Sequence, residues 1–179
     1  MGTKFNDFIN KMDEEAKNNK KSFNPEEKIV KFKDLVNSLY ADIDTWLHEE
    51  IEAKKILTGL VPITITEEQL GTYTVNEKWI QIGNARIQFH PVGTILIGTD
   101  ARVDMTYGNN YVIFVRAGEY FESAGDLLEI RFNGELEKKK KSPGKIVWKY
   151  VKNDLRRSYV TLDKERFENL VIEIVNGNR

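Results

Sequence analysis

The sequence predicts an α+β fold in which a helical arm leads into an antiparallel sheet and a last helix closes the chain. Three observations carry that expectation. Apolar residues recur at helical spacing up to about Thr58 and at strand spacing beyond Gly59-Leu60-Val61-Pro62. Glycine and asparagine then punctuate short alternating apolar runs at the intervals of a meander. Behind Asp163, a capping residue, Phe167, Leu170, Val171 and Ile174 share one helical face that ends at Gly177. The expected division is a helical arm over residues 1–58 and a sheet domain with its closing helix over 59–179.

In the arm, Phe5, Phe8, Ile9, Met12 and Ala16 form one stripe, which predicts an amphipathic helix over about 3–21. Asn24-Pro25-Glu26-Glu27 is a start signal for a second helix: a capping amide, a ring holding the first helical φ, and two acids beside the positive dipole end. Ile29, Phe32, Val36, Leu39, Ile43 and Trp46 follow at steps of three and four, and the register continues through Glu50, Ala53 and Leu57. Leu35, Tyr40, Leu47 and Ile51 widen this face. A helix over about 25–58 would span roughly 51 Å at 1.5 Å per residue. The first helix is expected to fold back on it as an antiparallel hairpin, leaving its later half to meet the sheet or another chain.

After Pro62, alternation at Ile63–Thr66, at Tyr73 and Val75, and at Trp79–Ile82 predicts strands, with Gly83-Asn84-Ala85 turning the chain into Arg86–Phe89. Thr94–Ile97, Ala101–Tyr107, Tyr111–Val115, Leu127–Phe132, Ile146–Val151 and Tyr159–Leu162 continue the series. About seven or eight strands result, in a meander or partly open barrel, with a helix over about 163–176.

Composition removes several function classes. The 179 residues contain no cysteine, which excludes disulfides, thiol nucleophiles and Cys-ligated zinc and suits a cytoplasmic setting. No apolar run approaches the roughly 20 residues that span a bilayer, so no membrane partner is expected. A net charge of −1 hides segregation: the balance is −2 over residues 1–58, −5 over 59–135 and +6 over 136–179. Internal complementarity between basic tail and acidic sheet is the simplest cause.

His48 and His90 stand far apart and lack partners at ligand spacing, so no metal and no cofactor are expected. His90 is read as a strand-end residue that uses its ring nitrogens locally. Asp104, Glu129 and Arg131 fall on predicted strands, where two acids and a cation could hold a divalent ion against a phosphodiester. Arginine stands where such nuclease motifs carry lysine, and polar residues on a wet strand face give the same pattern. Lys139, Lys140, Lys145, Lys149, Arg156 and Arg157 flank Trp148, joining phosphate-neutralising charge to a ring able to stack on bases, the layout of a nucleic-acid binder. The favoured expectation is a non-enzymatic module that meets a protein partner or a second copy through the long helix, using Ile43, Trp46, Leu47 and Glu50.

Overall fold

The computed structural model describes residues 5–10, 12, 24–94, 99–123, 144–155 and 157–177. Helix α1 (Pro25–Trp46) and the one-turn helix α2 (His48–Glu52) precede seven strands: β1 (Ile56–Glu67), β2 (Gly71–Ile82), β3 (Ala85–Gly93), β4 (Arg102–Tyr107), β5 (Asn110–Gly118), β6 (Ile146–Val151) and β7 (Tyr159–Thr161). Helix α3 (Lys164–Asn176) is the last element among the described residues. The strands form one open antiparallel sheet in sequence order. The mixed class, the antiparallel meander and the closing helix are as the sequence predicts.

The cap at Asn24 is formed as expected: its side chain accepts from the backbone N–H groups of Glu26 and Glu27 at 3.1 and 3.3 Å. At the other end of the chain, Asp163 accepts from Arg166 N–H and Gly177 closes α3 at a left-handed φ of 75°. Both helices lie on one face of the sheet. Phe32, Val36, Leu39 and Ile43 of α1 are buried with Phe89, Val103, Met105 and Phe114 of the sheet and with Phe167 and Ile174 of α3. Phe167 joins the layers, with ring centroids 5.4 Å from Trp46 and 6.0 Å from Phe89.

Two expectations for the arm are corrected. Residues 5–10 are helical, but Phe5, Phe8, Ile9 and Met12 remain exposed, so the antiparallel hairpin is not formed by the described residues. The stripe it was to cover is spent on the sheet. The long helix also stops at Trp46 rather than running to 58: Leu47 leaves helical geometry, Lys54 takes a φ of 57°, and β1 begins at Ile56. Pairing of Ile56 with Ile82 gives the β-branched segment a better outlet. Of the remaining expected strands, residues 95–97 and 127–132 lie outside the described residues.

The β1–β2 hairpin changes which face it buries. Its register is unbroken from Ile56 opposite Ile82 to Glu67 opposite Gly71. Near the open end Ile56, Lys78 and Ile80 are buried, all on one face; near the turn Ile65, Tyr73 and Val75 are buried, all on the other. A two-stranded ribbon twists more strongly than a wide sheet, and this one rotates its apolar side around α1. Phe32 meets Tyr73 edge-on, at 6.2 Å and 84°.

Beyond Lys78 and Phe89, strands β2 and β3 no longer pair. The Tyr40 hydroxyl of α1 occupies this fork. It accepts from Lys78 N–H at 3.3 Å, and its own proton lies between Asn76 O at 3.0 Å and Phe89 O at 2.9 Å. Backbone groups at and just past the last β2–β3 rung thereby gain a hydrogen-bonding partner from the helix. Lys78, itself 2% exposed, sends its ammonium back to Asp44 at 2.7 Å. Further along, the Glu67 carboxylate rejoins the ribbon to the end of β3, accepting from Thr94 N–H at 3.0 Å and from the Tyr73 hydroxyl. Gly93, at a φ of 149°, leaves the space that Glu67 fills; a Cβ there would lie 2.9 Å from its carboxylate.

Tyr40→Phe is expected to cost about 1–3 kcal/mol in denaturant unfolding, the penalty for buried groups left unmatched. Burial pushes the Tyr40 hydroxyl well above its ordinary value, as burial and the neighbouring Glu67 carboxylate do for Tyr73. The unfolded chain releases these protons near pH 10 while the folded chain retains them, so stability falls as pH rises through and above that value. The variant should show a shallower fall.

Candidate binding surface on the outer sheet face

The face of the sheet turned away from α1 and α3 is built by alternation. On β2 and β3 it carries Glu77, Trp79, Arg86, Gln88 and His90; on β4 and β5 it carries Arg102, Asp104, Thr106, Tyr111 and Ile113. Its polar groups are paired. His90 Nδ1 lies 2.6 Å from Glu77, which also accepts from Gln88, in keeping with the local role expected for that histidine. The Arg86 guanidinium sits 4.1 Å from the centre of the Trp79 ring.

Asp104 is clamped. Arg102 donates to its two carboxylate oxygens through Nε and Nη2, both at 2.6 Å, and these bonds raise the arginine's pKa. A carboxylate held bidentate by a guanidinium has its lone pairs directed away from an incoming cation. Among the described residues no three carboxylate or imidazole side chains gather as metal ligands. Glu129 and Arg131, the other members of the expected nuclease set, lie outside the described residues.

The residues expected to bind nucleic acid separate. Trp148 is buried on the inner face, its Nε1 3.4 Å from Ser38 Oγ on α1, so its ring is unavailable for stacking. Lys149 faces outward but is only 3% exposed, because residues 119–121 cross over it; its ammonium donates to Glu119 O and Phe121 O at 2.7 Å each. Its charge is used to satisfy a loop backbone. Lys145 and Arg157 are exposed, and Lys139, Lys140 and Arg156 lie outside the described residues.

The expected partner-binding residues turn inward as well. Ile43 and Leu47 belong to the chain's own core, Trp46 is half-buried against Phe167, and Glu50 is half-buried on α2. Heptad spacing on α1 reports a helix lying on a sheet. His48 is exposed on α2.

Two features of the sheet remain open. One is the edge strand β1, twelve residues long and paired on one side alone among the described strands. Leu57, Leu60 and Val61 on it are 53%, 52% and 42% exposed. Lys78 N–H points to Tyr40 on the β3 side, so even-numbered residues of β2 aim their backbone at β3 and odd-numbered ones at β1. Their partners Ile56, Thr58, Leu60, Pro62 and Thr64 therefore direct their backbone to the open edge. The second feature is a groove of about 130 Å³ adjoining a wider one of about 410 Å³, where the β4–β5 turn meets the β6–β7 connection. Neither was legible as a site in sequence, since exposed leucines and turn asparagines are ordinary taken singly.

No family model matches this chain, and neither a curated protein nor a solved structure is significantly similar to it. No helix among the described residues is long and apolar enough to cross a membrane.

The two lysines that look alike in sequence should separate on substitution. Lys149→Met is expected to lose about 1–3 kcal/mol by stranding two carbonyls, whereas Lys145→Met should change stability by less than about 0.5 kcal/mol. Urea unfolding of both variants checks this.

Proposed function

We propose that the protein is a non-enzymatic interaction module that associates with a second copy of itself through the open edge of β1. The observation that carries this reading is the edge itself, a long strand with an outward hydrogen-bonding ladder and three exposed apolar side chains beside it. Folded proteins seldom leave such an edge uncovered, because it templates pairing. Pro62 blunts one part of it, since its missing N–H belongs to the outward set. The usable stretch is Ile56 to Leu60.

An antiparallel pair of these stretches about a two-fold axis at Thr58 sets Ile56 opposite the second copy's Leu60 and ends before either proline is needed as a donor. Leu57 then faces Gly59 of the other chain. Gly59 is bare because the Trp79 ring lies across it, where an added Cβ would come within 2.6 Å of the indole. A leucine of one copy thus meets a glycine gap floored by indole in the other, and the two sheets continue as one. This moves the expected association with a partner or second copy from α1, whose apolar stripe is buried, to β1.

Light scattering at micromolar concentration should report twice the chain mass. Thr58→Pro, which removes the central donor, and Leu60→Lys should each give a monomer with an unchanged fold, while Ile172→Lys, at an exposed position of α3, should leave the mass alone. A wild-type monomer, or a dimer indifferent to both edge variants, would refute the assignment.

A further inference from the structure

We infer that the groove at the β4–β5 turn binds a nucleoside phosphate unit, with the base on Tyr111 and the phosphate between Lys152 and Arg157. Its floor is the outer face itself, Thr106 and Ile113, and Tyr111 stands at its side with 56% of its surface open. An exposed tyrosine ring beside a concave, partly apolar floor is a platform on which any base can stack.

The charge of the groove is unequal. Arg102 and Asp104 cancel each other through their two short bonds. Lys152 and Arg157 are exposed and line the narrower groove together with Tyr111, and among the described residues no hydrogen bond or ion pair engages either side chain. Two cations facing one cavity without a counter-charge repel each other and gain when an anion enters between them. A phosphate carries the charge and the acceptor oxygens to do so.

Arg157 is also held in an unfavourable backbone state. Its φ of 48° is left-handed, a region that costs a non-glycine residue of order 1 kcal/mol or more. The loop is pinned there by three bonds: Arg157 N–H to Asp154 O at 3.1 Å, Ser158 N–H to Asp154 Oδ1 at 3.0 Å, and Lys152 N–H to Ser158 O at 2.8 Å. Held so, Arg157 lines both parts of the groove. Phosphate alone would need no ring, and an acidic peptide no planar platform. Tyr111 together with Lys152 and Arg157 fits a base joined to a phosphate.

The shared chemistry has two sources, a free mononucleotide or one unit of a single strand. The test titrates the full chain with adenosine monophosphate, with a fluorescent eight-residue oligothymidine and with inorganic phosphate, at low and moderate salt. Binding of the mononucleotide and the oligonucleotide alike identifies a nucleotide pocket; binding of the oligonucleotide alone identifies a single-strand site. Either result supports the inference, provided Tyr111→Ala weakens binding about tenfold and Arg157→Gln lowers the slope of log affinity against log salt by about 0.7. Both side chains are exposed, so both variants should keep the wild-type melting temperature. No binding at low salt, affinity indifferent to both substitutions, or inorganic phosphate binding as tightly as the nucleotides would overturn it.

Discussion

One side chain settles how the sheet divides. Where β2 and β3 part, the Tyr40 hydroxyl reaches from a helix to Lys78 N–H and to the carbonyls of Asn76 and Phe89. A fork in a sheet is costly when its N–H and C=O groups are buried, because water cannot reach them. With the phenol in place the ribbon of β1 and the outer half of β2 is free to leave the sheet and wrap α1. Glu67 then fastens its far end to Thr94. The Lys78 ammonium, delivered to Asp44 of the same helix, fixes α1 a second time within a few residues of the fork.

The placement of α1 determines which surface remains for function. A helix whose apolar stripe runs under the fork spends that stripe on its own sheet, so Ile43 and Leu47 become core and Trp46 packs beside Phe167. The same twist that turns the far end of β1 inward leaves its near end at the sheet margin, with Leu57 and Leu60 in solvent. On the opposite side of the sheet, the crossing of residues 119–121 consumes Lys149, while Arg157 and Lys152 line the groove with side chains unengaged among the described residues. Packing decides, residue by residue, which charges and apolar groups remain unspent.

Much of the fold was legible because local signals and packing agreed. Asn24-Pro25, Asp163 and Gly177 name their caps, and Gly83-Asn84 and Gly108-Asn109 lie at their turns. The end of α1 was misread since Glu50, Ala53 and Leu57 preserve a heptad register that strand pairing at Ile56 overrides. Tyr40 looked like a widening of an apolar face; nothing in sequence says that its hydroxyl reaches a backbone 36 to 49 residues away. The candidate sites were less legible still. Trp148 and Lys149 sit side by side in sequence and on opposite faces in space, so period-two alternation sends one to the core while a distant loop covers the other. Tyr111, Lys152 and Arg157 converge only through the order of β5, β6 and β7.

The amide of Lys78 offers the most direct view of the fork, since at the last β2–β3 rung it donates to the Tyr40 oxygen. Native-state hydrogen exchange followed by NMR should find this amide protected in the wild type to the level of Ile80, and in Tyr40→Phe it should exchange much faster while Ile80 stays protected. Equal protection of Lys78 in both proteins would show that the hydroxyl does not hold the fork and would contradict the account.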